Sequence, residues 1–459
     1  MSAWDDAVAA CAAGTARLLG LWGEPGWVHL AWIDAEGRLA RLARDCPDGR
    51  YPSVAAVHPA AMRLERAARD MYGLDPIGLP DPRPWLAHGE TPTAYPFLPV
   101  VGAHLHQIPV GPVHAGIIEP GHFRFTCDGE TVVRLEARLG YAHKGVEALL
   151  EGAPMADAAR IAGRVCGDST VAYALAFARA VEAALGAAPP PRAVWLRALA
   201  GELERLANHL GDVGAICNDA SFALMHAHCA VLRERVLRAA FAIFGHRLMM
   251  DAVVPGGMAQ DLPEDAPAAI AALVETVRTG FRPLERLYDG TTSLQDRTVG
   301  TGILRPELAA RFAAGGFVGR ASGGDFDARR SPGYAPYDTL AFDIPSRAEG
   351  DVDARVRIRM AEIAQSLSLI EQILDRLPPG PVRAPLPDAA GEGLALVEGF
   401  RGDVLAYARV ASGHVVRAHL RDPSWFQWPL LEAAIEGNIV ADFPLCNKSF
   451  NCAYSGHDL

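Results

Sequence analysis

The pattern of apolar and polar residues predicts two long packed helices. Each repeats apolar residues three and four positions apart, a spacing that places them on one helical face. The first apolar seam comprises Leu196, Leu199, Leu203, Leu206, Leu210 and Val213. The second comprises Met360, Ile363, Leu367, Ile370, Leu374 and Leu377. Glu202, Arg205 and Asn208 fall outside the first seam, and Pro378 and Pro379 end the second helix.

Three further segments favour helices. They are residues 155–186, which contain Cys166, residues 222–250, which precede Pro255, and residues 265–289. His226 and His228 lie two positions apart, and side chains with that separation point away from each other on a helix. We therefore exclude a histidine metal pair at this place.

Strand signals are fewer. Phe123–Cys127 and Thr131–Leu135 are rich in β-formers and flank Asp128-Gly129, which predicts a hairpin. Near the N-terminus, Val28–Asp34 favours a strand and Ala55–Tyr72 favours a helix. The predicted fold class is α+β and mainly helical, with a central helix bundle and small antiparallel sheets, preceded by a small α+β domain.

A proline-rich connector separates two predicted domains. Residues 76–112 contain nine of the 34 prolines, and proline favours an extended chain because it fixes φ and lacks an N–H donor. We place the boundary near residue 95. The first domain is then 1–95, with the connector reaching about residue 112, and the second is 96–459.

The composition of the chain argues against several classes of function. The formal net charge is -11 and no basic cluster is present, which argues against nucleic-acid binding. No apolar run approaches the ~20 residues of a membrane-spanning helix. The 8 cysteines form no C-x-x-C pair. No G-x-G-x-x-G opens a βαβ unit, so we expect no direct binding of NAD.

One stretch carries the strongest resemblance to a known family. K-G-V-E at 144–147 is followed by R-V-C-G-D-S at 164–169. This resembles the first ligand motif of the large subunit of nickel–iron hydrogenases, R-G-x-E followed by R-x-C-G-x-C, in which both cysteines bind metal. Here the first cysteine is Cys166 and the second position holds Ser169.

Other segments extend the resemblance over about residues 100–459. G-P-V-H at 111–114 and E-P-G-H-F at 119–123 resemble a motif of group 4, energy-converting hydrogenase large subunits. Residues 316–338 resemble a segment shared by those subunits and the quinone-site (D-type, 49 kDa) subunit of complex I. E-G-F-R-G at 398–402 resembles the family's arginine loop. Residues 65–83 resemble the C-type (30 kDa) subunit of complex I, in a trimmed form.

The tail departs from the hydrogenase pattern. Such hydrogenases end near D-P-C-Y-S-C, whereas this chain has N-C-A-Y-S-G at 451–456. Aligning Tyr454-Ser455 on the family's Y-S places Ala453 and Gly456 at the cysteine positions. Another register places Cys452 at the first cysteine and Ser455 at the second. Both registers break the second ligand pair.

A nickel–iron centre needs four soft thiolate donors, which serine, alanine and glycine do not replace. At most Cys166 and Cys452 face the site, so the sequence predicts no metal. Two thiolates would hold zinc only with two further ligands, for example His457 or His122. We favour an empty metal position, because the spacing matches no common zinc pattern.

The resemblance implies one cavity formed by the 111–122 loop, the 164–169 turn, the arginine loop and the 449–458 tail. The candidate catalytic residues, which would move protons, are Glu119, Asp168, His114 and His122. The candidate residues of a substrate or quinone pocket are Cys166, Ser169, Arg401 and Tyr454. We expect no cofactor bound by this chain itself, with iron–sulfur clusters in a partner subunit and quinone as one candidate ligand.

The resemblance also implies a place in a larger assembly. Expected partners are a small iron–sulfur subunit, a ferredoxin-like subunit, and membrane subunits of the antiporter-like and complex I H types. The expected location is peripheral, on the cytoplasmic side of the inner membrane. The expected function is a large-subunit-like component of a respiratory oxidoreductase complex that couples electron transfer to quinone or another acceptor with ion translocation. The alternative is a non-catalytic scaffold of an ion-pumping complex. The ligand count argues against a working hydrogenase.

Overall fold

The computed structural model describes residues 2–86 and 95–459. Helices hold 46% of the residues and strands 18%, which confirms the mainly helical α+β class with small antiparallel sheets. The predicted boundary near residue 95 remains a prediction, since residues 87–94 of the connector lie outside the described part.

The N-terminal part holds one three-stranded antiparallel sheet, a short two-stranded parallel sheet and two helices. Its elements are α1 (Ala3–Ala12), β1 (Arg17–Glu24), β2 (Trp27–Ile33), β3 (Leu39–Asp45), β4 (Arg50–Pro52), α2 (Met62–Tyr72) and β5 (Asp75–Ile77). The strand predicted at 28–34 is β2. The helix predicted from Ala55 begins only at Met62, because Pro59 holds the preceding residue, His58, in an extended conformation.

The remaining strands of the described residues form three antiparallel sheets. The first holds β6 (Leu105–Val110), β7 (His122–Asp128) and β8 (Thr131–Arg138), the second β9 (Val253–Val254) and β10 (Gly257–Met258), and the third β11 (Gly391–Glu398), β12 (Asp403–Ala411) and β13 (His414–Arg421). The predicted hairpin is β7–β8, with Asp128 paired to Thr131. The β1–β3 sheet packs against β11–β13 through residues that include Trp22, Leu396 and Tyr407.

The longer helices contribute the largest share of the main hydrophobic core. They are α5 (Thr170–Leu185), α6 (Pro191–Asp219), α7 (Ala223–Phe244), α8 (Ala266–Gly290) and α12 (Val352–Arg376). The shorter ones are α3 (Val146–Leu150), α4 (Met155–Ala162), α9 (Thr292–Thr298), α10 (Pro306–Arg311), α11 (Gly316–Arg320), α13 (Ser424–Ala434), α14 (Phe443–Phe450) and α15 (Ser455–Asp458). Helix α6 packs against α7 and α12.

Two predicted helices have different bounds in the structure. The single helix expected at 155–186 is wrong: α4 ends at Ala162, α5 begins at Thr170, and Cys166 lies in the irregular turn between them. Glycine and short polar side chains favour helix ends and turns, and this turn contains Gly163, Gly167 and Ser169. Helix α7 ends at Gly245, in a left-handed conformation (φ 75°), well before Pro255.

The first apolar seam is buried throughout, and the second is buried up to Ile370, with Leu374 and Leu377 only half-buried. All six residues of the first seam have 0% exposure, and in the second Ile363, Leu367 and Ile370 are at most 3% exposed. Glu202, Arg205 and Asn208, which fall outside the first seam, are buried as well. Helix α6 is therefore enclosed on all sides and carries charge into the protein interior.

These charges belong to a buried ionic cluster that joins α6, α11, α12 and β11. Its members are Glu202, Arg205, His209, Arg320, Asp327, Arg329, Glu362 and Glu398, all at most 4% exposed. Arg329 contacts Glu202 at 3.0 Å and Asp327 at 2.7 Å. Arg320 contacts Glu398 at 2.9 Å and also pairs with Glu362. Ion pairs between buried side chains thus connect four elements.

Leu203→Ala and Ile370→Ala should each lower the free energy of unfolding by about 2–5 kcal/mol, because each leaves a cavity among close-packed side chains. Denaturant-unfolding midpoints of purified variants measure this. Leu224→Ala on α7 is the matched control, since Leu224 is 53% exposed and its truncation should cost little. An equal midpoint for Leu203→Ala and Leu224→Ala would contradict the buried seam.

Candidate functional site

The turn between α4 and α5 presents Cys166, Asp168 and Ser169 together. Cys166 is extended and Gly167–Ser169 form a single 3-10 turn. The Asn208 side chain on α6 donates to the Asp168 carbonyl at 2.7 Å, and the Lys144 ammonium donates to the Val165 carbonyl at 2.8 Å. The turn is therefore held from two directions.

Arg401, in the loop between β11 and β12, reaches into this turn. Its guanidinium donates to both Asp168 oxygens, one at 2.7 Å, and to Ser169 Oγ at 3.1 Å. It also lies 3.7 Å from Cys166 Sγ. The Cys166 thiol in turn donates to Asp168 Oδ1 at 2.9 Å. Four of the predicted site residues thus form one hydrogen-bonded cluster, which we call the Arg401 cluster.

Protonation follows from this geometry. Burial would raise the pKa of Asp168, but the charge and hydrogen bonds of Arg401 outweigh it and lower that pKa below its usual value. Burial, reinforced by the charge of Asp168, raises the pKa of the Cys166 thiol. At neutral pH the cluster holds a carboxylate–guanidinium pair beside a protonated thiol. Arg401 is 4% exposed, whereas 34% of the Asp168 side chain remains accessible.

The tail contacts the Arg401 cluster through its backbone. Arg401 Nε donates to the Asn451 carbonyl, and Asn451 adopts a left-handed conformation (φ 47°). The Asn451 side chain donates to Asp212 at 2.9 Å, which also accepts from Arg359 at 2.9 Å. Asn451 is therefore held in place by Asp212 on α6, which is itself bonded to Arg359 on α12.

The other predicted residues lie against the next part of the tail. The Tyr454 hydroxyl is 3.5 Å from His114 Nε2, and the Ser455 N–H donates to Glu119 at 3.0 Å. His122 lies 3.2 Å from the Gly111 carbonyl, and its ring packs on Phe97. Glu119 is exposed, and burial lowers the pKa of both His114 and His122.

The predicted site residues thus form two groups connected by the tail. Cys166, Asp168, Ser169 and Arg401 form one group, and His114, Glu119 and Tyr454 form the other. The structure records no hydrogen bond between a member of one group and a member of the other, among residues 2–86 and 95–459. His122 contacts the Gly111 carbonyl and the Phe97 ring and belongs to neither group.

Comparison with known proteins gives matches over most of the chain. Residues 28–99 match the family described as respiratory-chain NADH dehydrogenase, 30 Kd subunit, and residues 219–390 match its 49 Kd subunit. Residues 144–211 match nickel-dependent hydrogenase. Formate hydrogenlyase subunit 5 of Escherichia coli is 32% identical over 448 residues, covering 91% of this chain and 78% of that protein. The chain belongs to the family of energy-converting hydrogenase large subunits and their complex I relatives.

Two further relatives show the breadth of this family. The D-type NADH-quinone oxidoreductase subunit of Carboxydothermus hydrogenoformans is 32% identical, covering 73% of this chain and 94% of that protein. A chain of the membrane-bound sulfane sulfur reductase, an archaeal respiratory membrane complex, superimposes with a TM-score of 0.73 at 28% identity, covering 78% of this chain and 99% of that chain. In this chain's described residues, no helix is both long and apolar enough to cross a membrane.

The nickel–iron centre of this hydrogenase family does not fit the residues present. Ser169 offers a hydroxyl that is already bonded to Arg401. A Cβ built on Gly456 would lie 2.5 Å from an Asp422 carboxylate oxygen and 2.8 Å from the Tyr173 hydroxyl, so no cysteine fits there without movement. Within residues 2–86 and 95–459, no group of three or more His, Cys, Asp and Glu side chains is arranged to hold a metal ion.

Sequence reasoning missed Tyr173 and Asp422, which occupy the space beside Gly456. The Tyr173 hydroxyl donates to Asp422 Oδ2 at 2.7 Å, and both are buried. Tyr173 follows Cys166 by seven residues and was hidden in a segment whose pattern indicates only helix. The Asp422-Pro423-Ser424 sequence is a helix-start signal. It indicated that an acidic residue lies between β13 and the next helix.

Sequence reasoning also missed Glu204, on α6 beside the site turn. Its carboxyl accepts from the Val171 and Ala172 N–H groups at 2.7 and 3.1 Å. Burial raises the pKa of Glu204 to about 8, with the nearby charge of Asp168 adding to the effect. Asp168 and Glu204 both line a narrow cleft between α6 and α7. One carboxyl is therefore ionised and its neighbour protonated at neutral pH, a division typical of acid–base sites.

Glu204→Gln should flatten the pH dependence of stability. In the parent, the folded-state pKa of Glu204 (about 8) exceeds its unfolded value, 4.5, so its stabilisation is complete below pH 4.5 and is lost as pH rises toward 8. Between those values the parent should lose about 1.4 kcal/mol more per pH unit than the variant. Denaturant unfolding from pH 5 to 8 measures the difference. The exposed control Glu264→Gln should keep the parent slope, and an unchanged slope for Glu204→Gln would contradict the assignment.

Proposed function

We propose that this chain is the large-subunit-like component of a membrane-associated respiratory oxidoreductase complex and works without a nickel–iron centre. In this proposal it passes electrons from the iron–sulfur clusters of a partner to quinone or a comparable acceptor, and couples that transfer to ion translocation. Membrane subunits, a small iron–sulfur subunit and a ferredoxin-like subunit complete the complex at the cytoplasmic face of the inner membrane.

The observation that carries the proposal is the Arg401–Asp168 pair at the first ligand motif. The guanidinium bonds the groups that would otherwise be free to bind metal, and joins them to the tail at Asn451. A guanidinium and a neutral thiol favour a polar or carbonyl acceptor over a metal ion. The relatives named for NADH-quinone oxidoreductase and for sulfane sulfur reductase support a redox role that does not produce hydrogen.

Protons for such a reaction would come from groups next to this pair. Glu204 holds a proton at neutral pH and lines the same cleft as Asp168, which is partly accessible. Glu119 contacts the tail from the other side at Ser455. In this proposal Arg401 holds the acceptor in place, Glu204 supplies a proton, and Asp168 keeps Arg401 oriented.

The scaffold alternative is favoured by the saturation of Arg401. All three guanidinium nitrogens already donate to protein acceptors, and the side chain is only 4% exposed. An acceptor that needs Arg401 must therefore displace part of the bond to Asp168 or the tail. If it does not, the chain acts by transmitting structural change to the membrane part of the complex.

Elemental analysis of the purified complex should find nickel far below one atom per chain, because Ser169 replaces one cysteine and both alignments of the tail break the second cysteine pair. Iron and sulfide should instead co-purify with a smaller subunit. Nickel near one atom per chain would contradict the proposal. So would isolation of this chain from its native membranes without any partner.

Glu119→Gln and Asp168→Asn should slow quinone reduction by the complex at least about tenfold, since each removes a charge at one of the two site groups. Steady-state turnover, measured on complexes whose subunit composition equals the parent's, tests this. Glu264→Gln, exposed and outside both groups, is the matched control.

Because Asp168→Asn leaves the buried Arg401 without its counter-charge, the double variant Asp168→Asn/Arg401→Gln separates a folding defect from a chemical one. If the double variant assembles but still lacks turnover, the pair itself serves the reaction. If Glu119→Gln, Asp168→Asn and the double variant all assemble and turn over like the parent, the scaffold function replaces the catalytic one.

A further inference from the structure

A second pocket lies away from the Arg401 cluster, between α5, α6 and β11. Its volume is about 390 Å³, within the range of small-molecule sites. The lining is largely apolar and includes Leu175, Ala183, Val194, Ala198 and Leu394. The loop that carries Tyr334 closes one side.

Arg179 on α5 brings a half-buried positive charge to this pocket. Its guanidinium lies 4.6 Å from the centre of the Tyr334 ring, and its Nε is buried without a hydrogen-bond partner. Among the described residues, no carboxylate forms an ion pair with it. The other charges in the pocket are already matched.

Those other charges are Arg197 and Glu182, which form an ion pair. Arg197 donates to both Glu182 oxygens, one of them at 3.0 Å, and to the Gly257 and Val254 carbonyls at 3.1 and 2.7 Å. Glu182 also accepts from the Gly256 N–H at 2.8 Å. Both Glu182 oxygens are therefore occupied, and the Glu182 charge acts on Arg179 only from a distance, so the pKa of Arg179 stays lowered, mainly by burial.

The Arg179 side chain is half-buried, and its buried Nε has no acceptor among the described residues, so the desolvation of that N–H group is not offset by a hydrogen bond. An anion that enters the pocket removes this penalty. Guanidinium pairs best with planar carboxylate, through two parallel hydrogen bonds. The apolar walls would in turn exclude a small, fully hydrated ion in favour of an anion with a hydrocarbon body.

We propose that this pocket binds a small organic carboxylate, with its carboxylate on Arg179 and its apolar body against Leu175, Val194 and Leu394. Tyr334 contributes its ring face. The site is distinct from the Arg401 cluster and does not depend on the function proposed above.

The pocket nevertheless touches the elements that build the Arg401 cluster. Helix α5 begins directly after Ser169 and carries Arg179 two to three turns later, and β11 runs from Leu394 to the loop with Arg401. The Tyr334 hydroxyl accepts from the Glu398 N–H at 3.2 Å. Occupation of the pocket would thus restrain both elements whose ends meet at Asp168 and Arg401.

Calorimetric titration of the full-length protein with hexanoate, hexanamide and inorganic phosphate tests the proposal. Hexanoate should bind at least about tenfold more tightly than its neutral amide, since only the anion pairs with Arg179. Phosphate should bind at least about tenfold more weakly than hexanoate, since it leaves the apolar walls unfilled. Equal affinities within either pair, or no hexanoate binding up to its solubility limit, would overturn the proposal.

Arg179→Met keeps the length of the side chain and removes its charge. It should abolish the preference for hexanoate over hexanamide, while the melting temperature without ligand stays about equal, because Arg179 is only half-buried and, in the described part of the chain, forms no ion pair that its loss would break. Arg238→Met on α7, where Arg238 is 79% exposed and pairs with Glu234, is the matched control and should bind like the parent. An unchanged preference in Arg179→Met would place the anion elsewhere. Binding by the isolated chain that disappears in the assembled complex would show that a partner covers Arg179, and would also overturn the proposal.

Discussion

Arg320 holds together the parts of the molecule that position the site. From α11 it contacts Asp327 in the loop that follows α11, Glu362 on α12 and Glu398 at the end of β11. All four side chains are at most 1% exposed. Removing one member of such a cluster leaves a buried charge unmatched, at a typical cost of about 3–5 kcal/mol. Because Glu398 directly precedes the Gly399–Gly402 loop, the position of Arg401 depends on this cluster.

The cluster also carries an unequal count of charges. Glu202, Asp327, Glu362 and Glu398 face Arg205, Arg320 and Arg329, with His209 alongside Glu362. Burial, with the charge of Asp327, raises the pKa of Glu398 to about 7, and burial lowers the pKa of His209. A proton on Glu398, the acid nearest the arginine loop, removes the surplus negative charge as pH falls below about 7.

Much of the fold follows from local patterns in the sequence. The 3-4 apolar spacing identifies α6 and α12, and Asp128-Gly129 identifies the β7–β8 turn, because burial on one face and turn conformation depend on neighbouring residues. The helix break at Cys166 was not predicted. The alanine-rich segments on both sides favour helix, and their combined helix propensity outweighs the effect of Gly163 and Gly167. Periodicity places Glu202 and Arg205 outside the apolar seam, but it does not show that the helix is enclosed and that both charges are buried.

Family resemblance predicted which residues come together around Cys166, but not their chemistry. Family resemblance brought Cys166, Asp168, Ser169 and Arg401 to one place, and the structure places them in contact. The protonated state of Glu204 depends on how deeply α6 is buried beside the turn, which no local pattern encodes. The overlap of a Gly456 side chain with Asp422 and Tyr173 likewise arises from three distant segments.

The spacing of these segments has a consequence for how the protein is made. Asp168 and Arg401 are 233 residues apart, and Glu119 and Ser455 are 336 apart. A ribosome that has just released the Cys166 turn must add more residues than the whole preceding chain contains before the guanidinium exists. Until then Asp168 and Ser169 lack the guanidinium that pairs with them, so the Arg401 cluster is completed only after translation has passed β11.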